Sequence, residues 1–197
     1  MQVRKKRLMI APLTAVFFVG MLFCDRTGIF MASLLAAGLH ECGHLLAARQ
    51  MQIPLSCLRL DLFGARIDVG DRLLSYGEEW LLAAAGPLFS LVGAVMATPF
   101  WTASRFFVSF SVSSFLLGLL NLLPVKTFDG GRMAEALLCC FIGARCAFSV
   151  MRTVTLCFLF LLWSLSVYLL IRAGGGLSLF CFSVNLLSRF LESGEIS

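Results

Sequence analysis

Long apolar runs separated by short polar breaks make up most of this chain. The first, Leu8 to Cys24, is followed by Asp25-Arg26-Thr27-Gly28, and the second, about Ile29 to Ala48, is closed by Arg49 and Gln50. Further runs extend from about Trp80 to Trp101, Phe106 to Leu123, Thr153 to Ile171 and Leu177 to Leu187, the last with Ser188 to Leu191 as an extension. A helix needs about 20 apolar residues to cross the hydrocarbon core of a bilayer. The pattern therefore predicts an all-α membrane protein of about six transmembrane helices. Gly86-Pro87 within the third run is compatible with such a helix, because neighbouring helices can satisfy the carbonyl that proline leaves without a donor. Pro124 ends the fourth run, since the residue before a proline is pushed out of the helical region.

The stretch between the second and third runs has a different period. Leu58-Arg59-Leu60-Asp61-Leu62 alternates every second residue, Phe63-Gly64-Ala65 offers a turn, and Arg66-Ile67-Asp68-Val69-Gly70 alternates again. This predicts a small β-hairpin between helices 2 and 3, with an amphipathic interfacial segment as the alternative.

Composition agrees with the membrane reading. Of 197 residues, 59% are hydrophobic and 14% charged, against about 25% charged in soluble domains. With 19 Phe, neither a disordered chain nor a secreted disulfide scaffold fits. Six spans of about 20 residues would use most of the chain, so a single polytopic domain over 1–197 is expected, without an appended domain. The eight cysteines form no CxxC pair and mostly lie in apolar stretches, where they pack as small side chains. Arg4-Lys5-Lys6-Arg7 precedes the first run as in a signal peptide, but the run is long and lacks an A-x-A cleavage pattern, which predicts a retained anchor.

The net charge of +5 acquires a meaning once the spans are drawn. With six alternating spans and a cytoplasmic N-terminus, every Lys and Arg except Arg26, Arg105 and Arg172 falls on the cytoplasmic side. The positive-inside rule thus selects cytoplasmic N- and C-termini. The excess of positive charge records orientation, and no nucleic-acid partner is expected.

The only two histidines lie in His40-Glu41-Cys42-Gly43-His44, near the end of the second span. On a helix this spacing puts both imidazoles on one face about a turn apart, able to reach one Zn²⁺, with Glu41 placed to take a proton from a water on the metal. Two neutral nitrogen ligands leave most of the ion's charge uncompensated, which acidifies that water. Ionisable groups in an apolar span cost about 2.5–3.5 kcal/mol on insertion scales, which argues against an idle role. The bland alternative is a polar cluster joining helices. A hydrolytic site needs a third protein ligand, a carboxylate or a thiolate here, and Asp129 is the best candidate. It follows span four, where Pro124 breaks the helix, and the derived topology puts it on the same side as the end of span two. Read alone, Asp129-Gly130 is simply a turn or a helix cap. Cys42 points away from the histidine face and stays outside the ligand set.

These two motifs together resemble the site-2 protease family of intramembrane zinc metalloproteases. The resemblance covers roughly Ile29 to Met133, with H-E-x-x-H at His40 to His44 and N-x-x-P-x-x-x-x-D-G at Asn121 to Gly130. It implies that His40, His44 and Asp129 bind one zinc ion per chain, that Glu41 is the catalytic base and that Asn121 supports the active site. The family tends to carry Gly-Pro-x-x-Asn between these motifs, whereas this chain has Gly86-Pro87-Leu88-Phe89-Ser90. The catalytic core would then be about 29–133, with additional transmembrane helices at about 8–24, 153–171 and 177–191.

No PDZ-like insertion fits between spans two and four and no CBS domain follows Leu191, which looks most like the bacterial stage IV sporulation protein FB type. The resemblance implies a multi-pass protein of a bacterial cell membrane. It would cleave a membrane-embedded or membrane-tethered protein, such as a sigma-factor precursor, under a separate regulatory membrane protein. Substrate-binding residues are not indicated beyond the hairpin, to which a substrate strand could add, and Ser33, Ser90, Ser111, Ser113 and Ser114 are candidates to line a water path. The rival readings are a divalent-metal transporter and a noncatalytic membrane scaffold, both using the same residues.

Overall fold

The computed structural model describes residues 7–10, 19–53, 55–61, 64–69, 73–173 and 177–194, the strands by their backbone only. It divides into two compact units, Met1–Asn121 and Leu122–Ser197. The boundary falls inside the stretch 29–133 read as the catalytic core.

The first unit is built on three helices, α1 (Ile29–Gln50), α2 (Tyr76–Ala97) and α3 (Arg105–Asn121), all packed on one another. Gly28, at φ +73°, caps α1 without a side chain of its own. Asp25 supplies one instead, accepting the Met31 N–H at 2.9 Å and the Thr27 hydroxyl at 3.1 Å. α2 opens with a capping box. The Ser75 side chain accepts from the Glu78 N–H at 3.2 Å while the Glu78 carboxylate accepts from the Ser75 N–H at 2.9 Å. That signal starts the helix four residues before the apolar run at Trp80, and Thr98–Phe100 continues it as a 3₁₀ turn.

Apart from Leu82 and Pro87, the inward positions on these helices are small or polar. The buried face of α1 carries Ala32, Ala36, His40, His44 and Ala48 at every fourth residue, with Gly43 beside them. α2 buries Gly86, Pro87, Ser90 and Ala94 among others, and α3 buries Ser111, Ser114 and Gly118. Large apolar side chains face outward instead, among them Leu35, Leu88, Val95, Met96 and Leu119. A soluble protein would bury these residues and expose the polar ones; here close backbone packing is inside and the greasy surface faces the surroundings, as a bilayer demands.

A three-stranded sheet, in the order β1-β2-β3, accompanies the first unit. β2 (Leu55–Asp61) and β3 (Gly64–Val69) pair antiparallel, Leu58 opposite Ile67 and Leu60 opposite Ala65, with a register irregularity between Leu55 and Cys57. The turn residues Leu62 and Phe63 lie outside the described residues. β1 (Arg7–Ile10) pairs parallel with β2, Leu8 opposite Leu58.

The second unit holds α4 (Asp129–Ile142), α5 (Ala144–Ala173) and α6 (Leu177–Gly194), α4 against α5 and α5 against α6. Leu159, Leu186 and Phe190 form its apolar centre, with Phe128 and Leu162 packed on it. Ser166 and Ser183 meet at 3.3 Å across α5 and α6. α4 and α5 are separated only by Gly143, whose φ of +80° suits glycine alone.

The expectation of six spans is corrected. Among the described residues, three helices are long and apolar enough to cross a membrane: Ile29–Gln50, Tyr76–Phe100 and Ala144–Arg172. Arg105–Asn121 and Leu177–Ser188 are apolar but shorter. The run Leu8 to Cys24 begins as strand β1, and 19–24 are helical; 11–18, the middle of the expected first span, lie outside the described residues, as do the basic residues 4–6 and the C-terminal 195–197. Hydropathy alone cannot tell a strand with a ready partner from the start of a helix, because both are apolar. The apolar runs do not mark the amphipathic α4 just after Pro124, because a 14-residue helix with one polar face never reaches the threshold of an apolar run.

Candidate metal centre

His40 and His44 lie side by side on α1, both buried, with ring centroids 4.9 Å apart and planes at 77°. Their Nε2 atoms are 3.2 Å apart. Two nitrogens bound tetrahedrally to one zinc at about 2.0–2.1 Å would be about 3.3 Å apart, so the pair fits the ion as it stands.

Each ring is held from behind through its other nitrogen by α2. His44 Nδ1 is 2.8 Å from the Leu82 carbonyl oxygen, and His40 Nδ1 is 2.9 Å from Ser90 Oγ. A carbonyl can only accept, so neutral His44 donates from Nδ1 and leaves Nε2 bare, the form a metal ligand requires.

Two glycines make this approach feasible. A Cβ on Gly86 would overlap Nε2 of both histidines and Cε1 of His44, and one on Gly43 would come within 2.6 Å of the Ala85 carbonyl oxygen. Each helix thus presents bare backbone to the other at the level of the imidazoles. The neighbouring Pro87 cannot donate to the carbonyl four residues back, and a polar, well-packed interior is where such a break is tolerated.

Glu41 follows His40 on α1 and is half-buried; Cys42 is exposed, consistent with its exclusion from the ligand set. Asn121 ends α3, and its side-chain amide donates to the Leu117 carbonyl at 3.0 Å, which closes the last turn of the helix. Asp129 belongs to the second unit, as the first residue of α4, with Arg132 at 3.9 Å. Cβ atoms on Gly130 and Gly131 would run into the backbone carbonyls of Leu122 and Val125 respectively, so this glycine pair folds the Pro124 turn tightly beneath α4. The Lys126 N–H donates to Thr155 Oγ1 at 3.0 Å and ties the same turn to α5.

The serines considered for a water path bond between helices instead. Ser33 and Ser113 meet at 2.9 Å across α1 and α3, and Ser111 donates to the Ala94 carbonyl at 2.7 Å across α3 and α2. Ser114 is buried without a hydrogen-bond partner among the described residues. Sequence reasoning missed the support from Leu82, a backbone group without any side-chain signature, and offers Ser90 as a departure from a family pattern and a candidate for a water path, not as the partner of His40.

The model of peptidase family M50 matches residues 94–165, a stretch that includes Asn121 to Gly130 and lies beyond His40 to His44. The chain is 32% identical over 128 residues to the protein named "Putative zinc metalloprotease Rip3" of Mycobacterium tuberculosis, in two strains; the match takes in 56% of this chain and 30% of that protein. The chain thus spans about a third of the length of the curated relatives it matches. In fold it is similar to the solved structure of the site-2 protease from Methanocaldococcus jannaschii, with a TM-score of 0.69 at 17% identity, over 98% of this chain and 92% of that one. Part of the chain is thus similar to peptidase family M50, and its fold is similar to that of a solved site-2 protease.

Proposed function

We propose that the chain is an intramembrane zinc-dependent endopeptidase of the site-2 type, with His40, His44 and Asp129 as ligands of one zinc ion and Glu41 as the base. The observation that carries this reading is the pair of imidazoles with Nε2 atoms 3.2 Å apart, beside a carboxylate in the H-E-x-x-H spacing. Asp129 enters as third ligand through the N-x-x-P-x-x-x-x-D-G motif, and Asn121 as its neighbour in the same motif.

When bound, zinc polarises the scissile carbonyl and makes water acidic enough to attack near neutral pH. Glu41 takes one proton from the attacking water and returns it to the departing amine as the carbon–nitrogen bond breaks. Leu82 keeps His44 in the ligating tautomer throughout. The substrate is a membrane-embedded or membrane-tethered protein cut near the cytoplasmic face. Because β1 occupies one edge of β2, a substrate strand would add to the free edge of β3. A sigma-factor precursor, as in the sporulation branch, is the substrate class to try first.

Glu41→Gln tests the reading on purified full-length protein incubated with candidate tethered substrates. Retained zinc with cleavage reduced at least 100-fold supports it. Cleavage at the wild-type rate refutes it, and metal flux across vesicles without any cleavage would favour a transporter.

A further inference from the structure

α5 is one of the three helices long and apolar enough to cross a membrane, and it is longer than a crossing requires. Residues 153–171 carry no charged side chain; at about 1.5 Å per residue they extend about 28 Å, close to the hydrocarbon thickness of about 30 Å. Arg152 therefore stands at one edge of the hydrocarbon, and Arg145, two helical turns further out, stands at the level of the headgroups.

Three cations gather around Phe148 at this end of the helix. Arg145 precedes it by three residues and Arg152 follows it by four, so all three share one side of α5, and all three are exposed. The Lys126 ammonium lies 5.4 Å from the centre of the Phe148 ring, with the Glu135 carboxylate 3.9 Å away. Arg145 and Arg152 have no acidic partner among the described residues. Nor does the first turn of α5 hold an acidic residue to balance the positive end of the helix dipole. Just across Gly143, α4 ends in the exposed apolar side chains Leu137, Phe141 and Ile142, and Phe141 is 83% exposed.

We propose that Lys126, Arg145 and Arg152 bind the phosphate of an anionic phospholipid, with Phe141 and Ile142 beside it in the bilayer interface. An amphipathic helix end bearing an aromatic residue next to basic side chains is what an anionic bilayer surface attracts. The guanidinium groups offer paired donors to phosphate oxygens, and the lysine adds a point charge. An acidic protein segment would satisfy the charges as well, but the place of Arg152 at the hydrocarbon edge and the bare Phe141 favour lipid. Lys126 belongs to the turn that leads into Asp129, and its N–H is already tied to Thr155 of α5. A headgroup held here braces that turn against α5. Lys126, Arg145 and Arg152 lie outside the zinc site proposed above, so lipid retention is read without reference to cleavage.

Native mass spectrometry of the purified full-length protein, released from mixed micelles of phosphatidylglycerol and phosphatidylcholine with matched chains, tests the proposal. Wild type should retain phosphatidylglycerol in preference. Arg145→Gln and Arg152→Gln should each weaken that retention about fivefold, and together about 25-fold. Arg145→Lys with Arg152→Lys keeps the charge and should retain most of the preference. Lys126→Gln should lose less than either arginine variant, because Glu135 already opposes its charge. Arg172→Gln, at the other end of α5, should stay within twofold of wild type. Equal retention by wild type and the double glutamine variant would overturn the proposal and leave the cluster to an acidic protein partner. A loss in Arg172→Gln as large as in the cluster variants would overturn it in favour of diffuse attraction, and displacement of the lipid by millimolar inorganic phosphate would overturn it in favour of a free-anion site.

Discussion

The Nδ1 atom of His44 lies 2.8 Å from the backbone carbonyl oxygen of Leu82, one turn before the Gly86-Pro87 break in α2. A side chain on one helix is thus oriented by the main chain of another, and no side-chain substitution at residue 82 removes the acceptor, since every residue keeps its main-chain carbonyl. The consequence is that the histidine pair depends on how closely α1 and α2 approach.

Gly86→Ala tests that dependence directly. The added Cβ would overlap both Nε2 atoms, so either the imidazoles turn or α2 retreats and carries Leu82 and Ser90 away from them. Zinc affinity should fall at least tenfold by chelator competition, while helical content by circular dichroism stays near wild type.

Ser33 and Ser113 join α1 to α3 through facing hydroxyls at 2.9 Å. Interhelical hydrogen bonds in membrane proteins average about 0.6 kcal/mol in double-mutant cycles. Ser33→Ala, Ser113→Ala and the double variant, unfolded in mixed micelles, should give a coupling of that order.

Gly131 meets the Val125 carbonyl so closely that a Cβ has no room, and the obstacle is backbone, which cannot rotate away. Gly131→Ala should destabilise the second unit by about 1–3 kcal/mol, as overpacking does. Hydrogen exchange should show faster opening of α4 with little change in α1 and α2.

Asp25 responds to acid. The Met31 N–H holds its carboxyl below the ordinary aspartate range; burial opposes this, and the Thr27 hydroxyl and the Gly28 and Thr27 N–H groups add to the lowering. A depressed carboxylate contributes stability that is present above the unfolded value, about 3.9, and lost as pH falls through the lower folded value. Protection of the Met31 amide should therefore decline at pH below about 4 in wild type. In Asp25→Asn, which has no charge to lose, the decline should be absent after correction for intrinsic exchange.

Much of the candidate site was legible in the chain itself. The spacing of His40, Glu41 and His44 follows from helix periodicity, and their position in an apolar run made chance unlikely as an explanation of the cluster. The second and third runs became α1 and α2 because their apolarity extends over the length a membrane helix needs. The Leu58 to Val69 stretch alternates because a strand has a period of two. The ends of elements were harder to read. The Ser75–Glu78 box, present in the sequence, moved the start of α2, and the amphipathic α4 fell below any threshold of mean apolarity.

By itself, then, the sequence determined residue chemistry and local periodicity: two imidazoles on one face, a carboxylate beside them, and apolar segments that avoid water. Tertiary structure alone decided that Leu82 and Ser90 stand behind the imidazoles, that Gly43 and Gly86 lie where the helices meet, and that Arg7–Ile10 pairs with a strand some fifty residues further on. The physical reason is range. Helix and strand periods act over a few bonds, whereas a carbonyl acceptor, a missing Cβ or a strand edge acquires its role only from what the fold brings against it.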